Sequence, residues 1–114
     1  MRPLRIAHVS DTHLGYRALF KTDPITGRNQ RSIDIERAYQ RVIDDILERD
    51  VDLVLHAGDV FHHTRPSWTS IKAFVKQTKR LTERGIPGLV IAGNHDTPRL
   101  RASGSVFSVA ELAL

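Results

Sequence analysis

The alternation of short apolar runs with amphipathic segments most strongly constrains how this chain folds. Residues 4–9, 51–57 and 89–92 are mostly apolar, as is typical of strands in a buried sheet. Between them, apolar residues recur at intervals of three and four over residues 35–47 and 71–81, which indicates helices. Strands that alternate with helices predict an α/β fold with a parallel sheet and right-handed crossovers. We therefore predict one strand–helix–strand–helix–strand unit within residues 1–114.

The ends of the predicted helices carry signals of their own. We expect Asp34 and Glu36 in the first turn of the first helix, where negative charge suits the helix dipole. Ser67 is the expected N-cap of the second helix, and Gly85 the residue that ends it. Residues 105–114 are typical of the start of another helix, and residues 15–31 of a long functional loop.

Composition excludes some classes of protein and leaves others open. The absence of cysteine excludes disulfide scaffolds and thiolate metal sites, and it agrees with a reducing, cytoplasmic location. No apolar run approaches the roughly 20 residues that span a bilayer, so we expect no membrane segment. The net charge of +4 suits a polyanionic partner such as nucleic acid, but it equally suits an ordinary solvated basic surface.

Polar side chains follow each predicted strand at the point where the strand ends. Asp11 and His13 follow the first strand, Asp59 follows the second, and Asn94 and His95 follow the third. Ligands of open α/β sheets bind outside the carboxyl ends of the strands, so these groups are expected at one edge. An extended backbone would point Asp11 and His13 to the same side. Each motif alone is also an ordinary turn, but their coincidence on consecutive strand ends predicts a metal site.

The donor types narrow the choice of metal. Carboxylate, amide and imidazole groups without thiolates favour Mn²⁺, Fe²⁺ or Zn²⁺ over Ca²⁺. The two oxygens of Asp59 are suited to bridging two cations. Gly58 and Gly93 precede donor residues and allow the backbone to turn sharply there.

The motifs DTH, GDVFH and GNHD resemble the first three motifs of the calcineurin-like metallophosphoesterases. The longer stretches HVSDTHLGY and HAGDVFHHTRPS resemble the SbcD-type nucleases of that superfamily. The resemblance implies part of a two-sheet metallophosphoesterase sandwich and a manganese-dependent phosphodiester hydrolysis by a metal-activated water. It also implies a DNA substrate in double-strand-break repair and a partnership with an SMC-like ATPase subunit of the SbcC type.

The resemblance further implies a role for each matching residue. Asp11 and His13 would bind the first of two metal ions, Asp59 would bridge both, and Asn94 would bind the second. His95 would face the scissile phosphate, and His62 would position or protonate the substrate. Four arginines flank the motifs and are candidate phosphate contacts, with ordinary surface charge as the alternative for each: Arg17, Arg65, Arg99 and Arg101.

The later G-H and G-H-x-H motifs of the family are absent from this sequence. His8 and His56 lie within predicted strands, where we expect supporting or core roles, and His63 is an expected surface residue that is also able to reach inward. We therefore expect an N-terminal piece of a longer nuclease, holding about half of a binuclear site. Such a piece would expose an apolar sheet face and form a homodimer or otherwise self-associate.

Two other functions stay open on the sequence alone. One is a calcineurin-like phosphodiesterase that acts on a small substrate such as a cyclic nucleotide, against which VFHHTRPS argues. The other is a catalytically silent module that binds one metal weakly, DNA or a protein partner. Metal stoichiometry and the choice of substrate separate these alternatives.

Overall fold

The computed structural model describes residues 3–17, 21–63 and 65–91. Its elements follow the predicted order: β1 (Ile6–Val9), α1 (Gln30–Glu48), β2 (Leu53–His56), α2 (Trp68–Glu83) and β3 (Gly88–Val90). The three strands are parallel and lie in the order β1-β2-β3. The predicted α/β class and element order are therefore confirmed, with strands somewhat shorter than their apolar runs. The predicted helix over residues 105–114 lies outside the described residues.

Both helices pack on one face of the sheet. The buried core joins Tyr39 and Ile43 of α1 to Phe74 of α2 and Val54 of β2. The α1 and α2 surfaces also meet through a hydrogen bond of 2.8 Å between the hydroxyl groups of Tyr39 and Thr78. Burial raises the pKa of the Tyr39 hydroxyl to about 12, because the phenolate form loses its hydration.

The opposite face of the sheet is partly open in the described part of the chain. Ile6 is 49% exposed and Leu89 is 63% exposed, whereas Leu53 and Leu55 between them are half-buried. This is the apolar sheet face expected from the sequence. His8 lies on this face and is exposed, so the expected supporting or core role for His8 is wrong.

The strand register explains that correction. His8 pairs with Leu55, whereas Val9 pairs with His56. Successive residues of a strand point to opposite faces, so His8 and His56 are on opposite sides of the sheet. Only His56 turns toward the helices and is buried.

The helix ends differ in part from their sequence signals. Helix α1 begins at Gln30, a turn earlier than expected, and the Asn29 side chain caps it by accepting a hydrogen bond from the Ser32 amide. Asp34 and Glu36 therefore do not lie in the first turn, and that prediction is wrong. Ser67 caps α2 as predicted. Gly85 follows α2 in the left-handed conformation, with φ 73°, which fits the predicted helix end.

The loop before α1 is organised by a short turn. Asp23 accepts hydrogen bonds from the amide and the hydroxyl of Thr26, at 2.9 and 2.7 Å, and these bonds lower the pKa of its carboxyl group. An isolated bridge pairs Thr22 with Asn29 and closes this turn just before the helix. No helix within residues 3–17, 21–63 and 65–91 is long and apolar enough to cross a membrane.

Candidate metal centre

Two loops run side by side beyond the carboxyl ends of β1 and β2. The amides of Asp11 and His13 donate hydrogen bonds to the carbonyls of Gly58 and Asp59, at 3.1 and 2.9 Å. The Leu14 amide donates to the Val60 carbonyl at 2.8 Å, so the pairing continues past the strands. It ends at a parallel bridge between Leu14 and Phe61, whose side chains are fully buried. These two apolar anchors fix both loops to the core and hold their polar residues at the surface.

This pairing brings together three of the predicted donor residues. Side-chain donor atoms of Asp11, His13 and Asp59 all lie within 4.8 Å of one another. The His13 Nε2 atom lies 3.6 Å from an Asp11 oxygen and 4.0 Å from an Asp59 oxygen. The side chain of Asp11 is 65% exposed, that of His13 29% and that of Asp59 19%, so the group is open to solvent on one side.

The donor set fits a divalent cation. Two atoms that bind one cation at about 2.1 Å lie roughly 3.0–4.2 Å apart, and the separations of His13 Nε2 from Asp11 and from Asp59 both fall in that range. Two carboxylates and one imidazole are ligands of hard or borderline metals such as Mn²⁺, Fe²⁺ and Zn²⁺. Three described side chains are able to hold one ion with solvent completing its coordination.

All three donor residues adopt a backbone conformation that L-residues rarely occupy. Asp11, His13 and Asp59 have φ values of 56°, 46° and 53°. The expectation of an extended backbone through Asp11 and His13 is therefore wrong. Left-handed turns at both residues bring their side chains together instead. Gly58, with φ 113°, provides the sharp turn expected before Asp59.

Such conformations cost of order 1–2 kcal/mol for an ordinary residue, and less for Asp. They persist where the surroundings fix them, and they cluster at functional sites. Here the hydrogen bonds between the two loops hold the backbone of all three donors.

His56 hydrogen-bonds to both of the loops that carry the donor residues. Its Nδ1 atom accepts a hydrogen bond from the Gly58 amide at 3.2 Å, and its Nε2 atom lies 3.2 Å from the Thr12 hydroxyl. That hydroxyl donates to the Val60 carbonyl at 2.9 Å. Thr12 must then accept from His56, so the neutral His56 ring carries its proton on Nε2. This network joins β2 to both loops and gives His56 the supporting role expected from the sequence.

His62 lies directly beside the donor set. Its Nδ1 atom is 3.4 Å from the Nδ1 atom of His13, and its ring meets that of Tyr16 edge-on at 4.8 Å between centroids. His63 is exposed, and its ring meets that of His62 edge-on at 4.8 Å between centroids. His63 is not among the described donor atoms that converge on one point.

The remaining predicted residues divide into two groups. Arg17 and Arg65 are exposed, and neither lines the cleft beside the donor set. The others lie outside the described residues: Asn94, His95, Arg99 and Arg101.

Sequence analysis did not single out three residues that line this cleft, namely Thr12, Tyr16 and Arg31. Thr12 and Tyr16 lie within the quoted motif HVSDTHLGY, so their proximity to Asp11 and His13 was a usable signal. Arg31 is distant along the chain and carried no such signal.

An α/β layer with a carboxylate–imidazole–carboxylate set at the carboxyl edge of its parallel sheet defines an α/β protein with a candidate divalent-cation site. The family model described as calcineurin-like phosphoesterase matches residues 4–113. The chain belongs to the calcineurin-like phosphoesterase family.

The chain is also similar to several archaeal proteins named DNA double-strand break repair protein Mre11. It is 40% identical over 95 residues to that of Haloferax volcanii, a match that covers 83% of this chain and 20% of the relative. The Methanococcus maripaludis protein is 32% identical over 111 residues, covering 97% and 28% of the two chains. The Thermoplasma acidophilum protein is 40% identical over 92 residues, covering 81% and 23%. The matches thus span 20–28% of the length of these relatives.

Among solved structures, the chain is similar to the purple acid phosphatase PPD1 of yellow lupin, with a TM-score of 0.43 and 16% identity. That match covers 96% of this chain and 19% of the phosphatase. The likeness is too distant to carry an argument about the site.

Proposed function

We propose that this chain supplies the first metal ligands of a metal-dependent phosphodiesterase that cleaves DNA. One observation carries the proposal: Asp11, His13 and Asp59, from two separate loops, converge within 4.8 Å while each adopts a left-handed backbone. Neither core packing nor a simple turn requires three such residues to meet. The most economical reason for the arrangement is a bound cation.

DNA is the proposed substrate because two observations on the sequence point to it. The relatives reported above are named for DNA double-strand break repair. In addition, HVSDTHLGY and HAGDVFHHTRPS have the form of the SbcD-type nucleases. A small phosphodiester such as a cyclic nucleotide is the less favoured substrate.

The donor residues hold the cation in this proposal, with Mn²⁺ as the expected metal and Fe²⁺ or Zn²⁺ as alternatives. Asp11 and His13 would hold one ion, Asp59 would contribute to holding both of two ions, and Asn94 would hold the second. When bound, such ions supply Lewis-acid stabilisation of a phosphodiester and make a water nucleophile available near neutral pH.

His62 has a separate role that follows from its contact with His13. If His13 binds the cation through Nε2, its proton lies on Nδ1, which faces His62 Nδ1 at 3.4 Å. His62 then accepts at Nδ1 and carries its own proton on Nε2. In that state His62 is able to donate a hydrogen bond to a substrate oxygen. His95 is proposed to act at the scissile phosphate from the third strand end.

The partner proteins are also proposals. The SbcD-type resemblance supports an SMC-like ATPase subunit, and the exposed side chains of Ile6 and Leu89 support self-association of the chain. Sedimentation at micromolar concentration tests the second point, because a strictly monomeric chain contradicts it. The cytoplasmic location remains a prediction from the sequence.

Calorimetry with Mn²⁺ tests the metal centre directly. Asp59→Asn removes a charged donor but keeps a residue that tolerates the left-handed conformation. Asp50→Asn is the matched control, because Asp50 also has a positive φ, of 49°, and follows α1 away from the centre. We expect Asp59→Asn to abolish measurable binding and Asp50→Asn to bind as the wild type does. Equal binding by both variants contradicts the proposed ligand set.

Cleavage assays on duplex and single-stranded DNA complete the test. Manganese-dependent cleavage that Asp59→Asn abolishes supports the nuclease function. Hydrolysis of cyclic nucleotide without cleavage of DNA favours the small-substrate phosphodiesterase instead.

A second candidate function is cation binding without turnover. The 65% exposure of the Asp11 side chain favours it, because a solvated carboxylate contributes less to the affinity for a metal ion. Weak binding of one Mn²⁺ ion without cleavage of any phosphodiester identifies a cation-binding module. It also excludes an active nuclease centre formed by this chain alone.

A further inference from the structure

The donor set opens into a cleft of about 730 Å³. Asp11 and His13 line one side, and Arg31 and Ile35 of α1 line another. Sites of roughly 300–1,000 Å³ accommodate organic ligands, whereas a hydrated cation needs far less room. The cleft therefore has space for more of a substrate than the one phosphate group at the donor set.

Arg31 is the cationic residue of this cleft. It is exposed at the second position of α1, and its guanidinium forms no hydrogen bond or ion pair within the described ranges. Three other arginines in or next to the helices form ion pairs with carboxylates. Their pairs are Arg28 with Glu36, Arg49 with Asp45, and Arg80 with Asp44.

The start of α1 is fixed in place beside the cleft. The Ser32 hydroxyl donates a hydrogen bond of 2.7 Å to the Tyr16 carbonyl, which ties the first turn of the helix to the loop after β1. Asn29 caps the same turn. The backbone of Arg31 is thus held by the hydrogen bonds of Asn29 and Ser32 on either side of it. Within the described part of the chain, its guanidinium stays free to bind an anion.

Apolar surface lies between the charged ends of the cleft. The Tyr16 side chain is 39% exposed, and Ile35 is half-buried. A sugar or base is able to pack on such surface, and aromatic rings stack with bases of any sequence. A guanidinium binds phosphate oxygens through two parallel hydrogen bonds.

We propose that Arg31 binds a second phosphate of a nucleic acid strand, one that flanks the phosphodiester held at Asp11, His13 and Asp59. This inference rests on the proposed function and extends it from a single phosphodiester to a strand with several phosphates. The strand then crosses the cleft from the donor set, past Tyr16, to the N-terminal turn of α1.

Fluorescence anisotropy tests the assignment without metal or turnover. The probe is a fluorescein-labelled oligothymidylate of about 12 nucleotides, in EDTA, over about 50–200 mM salt. We expect Arg31→Gln to weaken binding about three- to tenfold at low salt and to reduce the slope of log K against log salt concentration by about 0.7, the value of one phosphate contact on a single strand.

Arg41→Gln is the matched control. Arg41 is an exposed arginine of the same helix, about 15 Å further along its axis, so the two variants change net charge equally. Arg31→Lys keeps the charge and is expected to restore most of the salt slope. Equal binding by Arg31→Gln and Arg41→Gln overturns the assignment, as does a failure of Arg31→Lys to bind better than Arg31→Gln.

Cleavage of the same oligonucleotide with Mn²⁺ separates the two proposals. If the wild type cleaves it and the two Gln variants bind equally, the nuclease function stands and the role of Arg31 is wrong. If Arg31→Gln alone binds weakly and the wild type never cleaves, Arg31 is a nucleic acid contact and the nuclease function is wrong for this chain.

Discussion

His13 and His62 come from loops that follow different strands, yet their Nδ1 atoms lie 3.4 Å apart. The hydrogen bond from the His62 amide to the Leu14 carbonyl, at 2.9 Å, fixes the backbone of one against the neighbour of the other. A histidine that binds a metal through one nitrogen is oriented by the acceptor at its other nitrogen. His62 occupies that position for His13.

The first prediction concerns this pair. His62→Ala removes the acceptor at His13 Nδ1, so we expect the affinity for Mn²⁺ to fall about 10- to 100-fold. His63→Ala is the control, because His63 is exposed and contacts the His62 ring but is not among the converging donor residues. Calorimetric titration of both variants with Mn²⁺ measures the difference. Equal affinities for the two variants are incompatible with an orienting role for His62.

The strand ends show how far the sequence determined the site. Asp11, His13 and Asp59 were predictable because parallel strands bring their carboxyl ends to one edge, whatever the detail of the loops. Their left-handed backbone was not, since a positive φ at Asp or His depends on hydrogen bonds to a loop more than 40 residues away along the chain. The pattern predicted that these three residues would converge, which they do, but it gave the wrong backbone geometry for joining them.

Three other features of the structure could not be predicted from the sequence, for similar reasons. Alternation along β1 does not show which face a helix will cover, so His8 was expected inside and lies outside. The apolar period predicted for α1 begins at Ile35, whereas the helix begins at Gln30, because the polar Asn29 cap carries no hydrophobic signal. Arg31 reaches the cleft through the packing of α1 on the sheet, which no local pattern contains.

A second prediction follows from the strained backbone of the donors. Asp11→Gly removes the left-handed penalty at φ 56°, and we expect the metal-free chain to gain about 0.5–1 kcal/mol in free energy of unfolding. The same change removes a ligand, so the affinity for Mn²⁺ should fall sharply. Urea unfolding in EDTA measures the first effect and calorimetry the second.

Asp50→Gly provides the matched comparison. Asp50 has φ 49° just after α1, where glycine is the preferred residue, so this variant should gain similar stability. Its binding of Mn²⁺ should be unchanged. If Asp11→Gly is instead destabilised in EDTA while Asp50→Gly is stabilised, the donor backbone is not strained.

A third prediction concerns the close packing of Gly15, in the loop after β1, against Ser70 of α2. A Cβ atom added at Gly15 would lie 2.8 Å from the hydroxyl oxygen of Ser70, and φ is 94°. Gly15→Ala should therefore lower the free energy of unfolding by about 2–3 kcal/mol. Gly27→Ala is the control with positive φ, 73°, but with no atom within 4 Å of the added Cβ, and should cost about 1 kcal/mol.

A double variant separates contact from conformation at Gly15. Ser70→Ala removes the crowding oxygen and leaves a Cβ atom at an ordinary distance of 3.7 Å. In the Gly15→Ala background it should recover part of the lost stability, giving a coupling free energy of roughly 1 kcal/mol in a double-mutant cycle. Strict additivity of the two changes would show that the backbone angle alone causes the loss.

The last prediction concerns stability at high pH. Burial raises the pKa of Tyr39 to about 12 from its ordinary value of 10.0, which the unfolded chain is expected to show. Below pH 10 both the folded and the unfolded chain keep the proton, so Tyr39 makes its full contribution to the free energy of unfolding. Between about pH 10 and 12 the unfolded chain ionises while the folded chain does not, so stability falls as the pH rises, by about 2–3 kcal/mol in total.

Tyr39→Phe isolates this effect from every other change of the chain with pH. At pH 8 the variant lacks the 2.8 Å hydrogen bond to Thr78 and should be about 1 kcal/mol less stable than the wild type. The phenylalanine side chain cannot ionise, so the variant should be more stable than the wild type by pH 12. Urea unfolding of both chains at several pH values between these limits measures the difference. Parallel stability curves would mean that the Tyr39 hydroxyl titrates alike in the folded and unfolded chains.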